Sequence, residues 1–162
     1  MTTAKLIVVW DGDAFIPEAR FRQMCDKEYT VGEKYQIEPM EARSVASHGH
    51  FFAAVHEAWL NIPEYNGKKF PNEEHLRHWA LVECGWCTET VTVFDSPKDA
   101  KQTAAEIRKR APYVVLQVQD NILYQWDAVS QKPSKMNKED FQKSKSAVLD
   151  LLASIIGVRQ KQ

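Results

Sequence analysis

The stretch "ARSVASHGHFFAAVHEAWLNIPE", residues 42–64, decides how this chain is read. At about 100° per residue, Ser44, Phe51, Val55, Ala58, Trp59 and Ile62 fall on one broad face, flanked by Val45 and Phe52. Arg43, Ser47, His50, Ala54, Glu57 and Asn61 fall on the other side. The spacing therefore predicts an amphipathic helix from about Arg43 to Ile62, stopped by Pro63. His48 lies at the centre of the apolar face and His56 at its edge, so the three histidines diverge instead of forming a cage. A core role for His48, with its ring nitrogens satisfied, follows more simply than a metal-ligating one.

The rest of the chain supplies partners for that helix. Lys5–Trp10 reads as a strand closed by Asp11-Gly12, a short helix covers Pro17–Asp26, and Glu33–Met40 alternates as an edge strand. Asn72 caps a second helix, "EEHLRHWALVEC", which Gly85 ends. Thr88–Phe94 is a strand. Ser96 and Pro97 open a third helix to Arg110. "YVVLQVQ" and "ILYQW" form a hairpin about Asp120-Asn121, and Asn137 caps a last helix from Lys138 to Ile156, ended by Gly157. The expected fold is α+β: one domain over 1–162, with a mixed or antiparallel sheet and about four helices packed on it. Within it, 1–42 is a strand region, 43–85 a helical pair, 88–126 a strand, helix and hairpin, and 138–157 the final helix.

Composition removes several classes of function. The 162 residues carry a net charge of −1, so no global field favours a polyanion, and only a local basic patch could hold one. The longest apolar run near the start, Leu6–Trp10, is too short for a signal core or a membrane span. Three cysteines, an odd number, indicate reduced thiols and a cytoplasmic setting.

The residues raise three chemistries. His75-x2-His78 and Cys84-x2-Cys87 have zinc-like spacing, but His75 and Cys84 stand nine residues apart on one helix, which turns them to opposite sides. "CGWC" straddles a helix end, whereas redox pairs open a helix. Asp11 and Asp13 could serve a metal-dependent nuclease together with His48, His50, His75 and His78, the alternative ligand set. No nucleophile elbow, phosphate loop or zincin motif is present, so the reading leans against an enzyme and names no cofactor and no catalytic residue. Against these stands a basic and aromatic surface. Lys98, Lys101 and Arg108 share the outward side of the third helix, and Trp86 is free enough to stack a base.

The segments "RSVASHGHFFAAVHEAW", "EHLRHWALVECGW" and "SQKPSKMNKEDFQKSKSAVLDLL" resemble a family of uncharacterised phage and prophage proteins. Arg43, Ser44, His48, Phe51, Phe52, Leu76, Arg77, Gly85, Met136 and Phe141 match its outline over about two-thirds of the chain. The first segment also resembles the helix of the lambda NinB (Orf) recombination family, with His48 and His50 replacing that family's glutamine and basic residue. That resemblance implies a homodimeric mediator of DNA recombination that binds single-stranded DNA and works with a host or phage recombination protein. It would set Arg43, Ser44, His48 and His50 near the DNA or the dimer seam. The expected nucleic-acid surface is Arg43, Ser47, His50, Arg77, Trp86, Lys98, Lys101 and Arg108, on single-stranded DNA or another nucleic acid. A third reading is a module that binds or inhibits a host protein.

Overall fold

The computed structural model describes residues 6–37 and 45–160. By contact density the chain divides into two compact units, Met1–Ala42 and Arg43–Gln162.

In the first unit, β1 (Val8–Trp10) and β2 (Phe15–Pro17) pair antiparallel, with Trp10 opposite Phe15. Asp11 makes the turn between them. Its Oδ1 accepts from the amides of Asp13 (2.9 Å) and Ala14 (2.8 Å), and these bonds hold its carboxyl below the usual range. The Trp10 and Phe15 rings meet across the hairpin at 5.0 Å. A 3-10 turn (Ala19–Phe21) leads into α1 (Arg22–Glu28). The helix expected from Pro17 thus starts later, because Pro17 is committed to the ladder. Residues 33–37 of the expected edge strand are not a strand, and 38–40 lie outside the described residues.

The second unit is built on α2 (Val45–Asn61), α3 (Glu73–Glu83) and α5 (Lys138–Gln160), with a three-stranded antiparallel sheet and α4 (Pro97–Arg110). Asn66 and Gly67 both take positive φ, 49° and 75°, and reverse the chain between the two-residue strands β3 (Glu64–Tyr65) and β4 (Lys68–Lys69). The sheet holds β5 (Cys87–Val93), β6 (Val115–Gln119) and β7 (Ile122–Ala128) in the order β5-β7-β6. Every pairing in it is antiparallel, which settles the mixed-or-antiparallel alternative, and the fold is α+β.

Local chemistry explains the helix ends. Asn72 Oδ1 accepts from the His75 amide, and Ser96 Oγ accepts from the Asp99 amide. Gly85, at φ +81°, closes α3 in a Schellman motif. Its amide donates to Val82 O and that of Trp86 to Leu81 O. Gly157, by contrast, does not stop α5, which runs on to Gln160.

Two cores result. Phe51 and Val55 of α2, with Ile62 just past its end, pack with Leu76, Trp79 and Leu81 of α3 and with Phe141, Val148 and Leu152 of α5. A smaller cluster joins Ala104 of α4 to Leu116 and Leu123 of the sheet. Because side chains alternate along a strand, Val115 and Ala128 face the helical core while Leu116 and Leu123 face α4. The sheet therefore separates α4 from the α2–α3–α5 layer. Among the described residues, no helix is long and apolar enough to cross a membrane.

Candidate functional site

The sequence offers Arg77 as a phosphate ligand. The side chain is instead turned inward, only 12% exposed. Nε and one terminal nitrogen donate to the two Glu74 oxygens at 3.0 and 2.7 Å, and the other terminal nitrogen donates to Gln131 Oε1 at 2.9 Å. Gln131, itself buried, passes its amide to Ser144 Oγ at 3.0 Å, and Ser144 donates to Phe141 O at 3.0 Å. The guanidinium also lies 5.5 Å over the Phe52 ring. This relay ties α3, the loop before α5 and α5 together, and each buried polar atom in it has a partner. It is structural.

Two histidines flank that arginine. His75 Nδ1 donates to Asn72 Oδ1 at 2.9 Å, since the amide oxygen can only accept. The Arg77 guanidinium can only donate, so His78 Nε2, 3.0 Å away, is the accepting nitrogen. Both rings pack on Tyr113, His75 edge-on at 4.8 Å and His78 stacked at 4.9 Å. Burial, and then the neighbouring Arg77 charge, push the His78 pKa below its ordinary 6.5. Arg77 holds the Glu74 carboxyl below 4.5. Both shifts act in one direction. The unfolded chain binds protons that the folded chain refuses, so stability is full above pH 6.5, falls as His78 is forced to charge, and falls again below 4.5. Thermal unfolding followed from neutral to mildly acidic pH will show a declining midpoint, and His78→Gln will flatten the decline nearest pH 6.5. An unchanged profile in that variant would remove His78 as the cause.

His48 lies between Phe141, stacked at 5.2 Å, and Phe52, at 4.8 Å, as the helical wheel implies. His50 is exposed on the other side of α2. The alternative ligand set His48, His50, His75 and His78 does not converge, because His48 is packed on phenyl rings and His78 Nε2 is committed to Arg77. Among the described residues, no group of three histidine, cysteine or acidic side chains could hold a metal ion. The Cys84 and Cys87 thiols are raised by burial first and then by nearby carboxylates, opposite to what a reactive thiol requires.

Of the other expected contacts, Arg43 lies outside the described residues. Ser47 Oγ accepts from Lys145 Nζ at 2.8 Å, a bond that stitches α2 to α5. Trp86 is partly buried against the helical core, its amide completes the Schellman turn, and its carbonyl accepts from the Val129 amide. Tyr124 and Trp126 form an aromatic pair that the sequence reading does not put together. They stand two residues apart on one face of β7, stacked at 5.9 Å and 10°. Their i, i+2 spacing in a strand is the available signal.

Lys98, Lys101 and Arg108 fulfil the geometric expectation. All three are exposed on α4, and among the described residues none of them joins an ion pair. The opposite side of α4 buries Ala100 and Ala104 against the sheet, which fixes which way the cations face. Arg108, Lys109 and Arg110 also crowd the last turn, where the helix dipole favours positive charge. Comparison with known proteins returned no matching family model, and neither the curated proteins nor the solved structures gave a match.

Proposed function

We propose that the chain is a non-catalytic protein that binds single-stranded nucleic acid through the outer side of α4. The observation that carries this reading is the exposed cationic row Lys98, Lys101 and Arg108, in no ion pair among the described residues and held outward by a helix whose other side is locked to the sheet. From Lys98 to Arg108 the row spans about 15 Å of helix, room for consecutive phosphates of one strand. Arg77 and Trp86 belong to the packing of the domain, and the contact surface is smaller and more purely electrostatic than the sequence suggests. Phosphate contact without base contact gives affinity without sequence preference. We extend the proposal to a role in phage recombination or replication, which rests on the resemblance read from the sequence of the Arg43–Leu152 segments alone.

Binding of a labelled single-stranded oligonucleotide across a salt series tests the proposal. With three cations each displacing counterions, the slope of log affinity against log salt will be about −2, from roughly −0.7 per phosphate on a single strand. The triple variant Lys98→Gln, Lys101→Gln, Arg108→Gln will lose at least about tenfold in affinity at low salt and most of that slope. A triple variant that binds like the parent would refute the α4 surface.

A further inference from the structure

The β5 strand carries a second surface, independent of α4. It is seven residues long, roughly 23 Å at about 3.3 Å per residue, and pairs only with β7 among the described strands. Its outer edge therefore presents backbone donors and acceptors with no ladder partner. All its residues after Cys87 are exposed, including Val91 at 49% and Val93 at 68%. The usual guards of an edge strand are missing: "CTETVTV" holds no lysine, no proline and no bulge.

We infer that β5 pairs antiparallel with β5 of a second copy of this chain, about a two-fold axis at Thr90, to make a six-stranded sheet. The strand's own side chains select a second copy as the occupant. In that register Thr90 meets Thr90 of the partner, Thr88 meets Thr92, Glu89 meets Val91 and Cys87 meets Val93. One face becomes an unbroken row of threonines, a favourable cross-strand pairing, and no like charges are opposed. Centring the axis one residue earlier would oppose Glu89 with Glu89. Glu89 is already turned towards its own sheet, accepting from Trp126 Nε1 at 2.6 Å, so its charge is partly satisfied before the partner arrives. The net charge of −1 adds no long-range repulsion between copies. A two-strand seam is small beside the ~1,200 Å² of a stable complex, so the dimer is weak and forms only as concentration rises.

Sedimentation of the full chain over a concentration series, beside two variants at one exposed position, tests both pairing and register. Val91→Glu sets its new carboxylate against Glu89 of the other copy, twice per dimer, and will weaken association about tenfold. Val91→Lys sets opposite charges there and will keep or tighten the dimer. In a background with Cys25, Cys84 and Cys87 changed to serine, Thr90→Cys will cross-link to its copy under mild oxidation, whereas Thr88→Cys will not. A chain that stays monomeric at every concentration overturns the proposal. So does equal weakening by glutamate and lysine, or equal cross-linking at residues 88 and 90.

Discussion

Phe141→Ala will lower folding stability by about 3–5 kcal/mol, the range for removing a buried phenyl group whose site cannot collapse. Phe141 is 1% exposed, and its ring is met on two sides from α2, by His48 at 5.2 Å and by Phe51 at 6.1 Å. Neither helix can close the gap, because Lys145 fixes α5 to the Ser47 hydroxyl and the Gln131–Ser144 bond fixes the loop before it. The His48 imidazole loses its stacked phenyl support as well. Denaturant titration of the two proteins reads the difference directly. A loss below about 1 kcal/mol would mean that α5 does not seat its first turns on α2 as described.

Arg77→Ala will cost about 2–3 kcal/mol and leave nucleic-acid affinity unchanged under conditions where the variant is folded. The cost comes chiefly from Gln131, which is 4% exposed and would keep a buried carbonyl oxygen without its charged donor. Glu74 is 36% exposed and can turn to water, which keeps the loss below that of a fully buried pair. Lysine at this position will not restore the stability, since a single ammonium cannot serve both Glu74 oxygens and Gln131 in one plane. Arg77→Ala with normal stability but impaired oligonucleotide binding would return this residue to the contact surface. The pairing of outcomes matters more than either alone.

The same residue shows what can be read in the sequence and what cannot. Helix starts at Asn72 and Ser96 are legible because a cap is a local event, settled within three residues. The hairpin about Asp120-Asn121 is legible for the same reason: Asp120 adopts φ 53° in a tight turn between two alternating runs. The divergence of the histidines follows from the helical period alone. Arg77 is different. Its charge and its place on α3 look like a surface cation, but its acceptor Gln131 is 54 residues away, and periodicity carries no information at that distance. Trp86 misleads because a residue just past a helix end looks free until the Schellman bonds fold it back. The β1–β2 hairpin is hidden because Pro17 reads as a helix start, while the structure uses it to end an edge strand. Lys98, Lys101 and Arg108 keep their expected position because the opposing alanines Ala100 and Ala104 dictate which side of α4 faces the sheet.

The central claim is that the binding surface is the outside of α4 and not the histidine-bearing helices. Amide chemical shifts of isotope-labelled protein, followed as a single-stranded oligonucleotide is added, test it most directly. The account predicts that residues 97–110 shift together, while the amides around His48, His50, His75 and His78 hold their positions. Shifts confined to α2 and α3, with α4 silent, would contradict it.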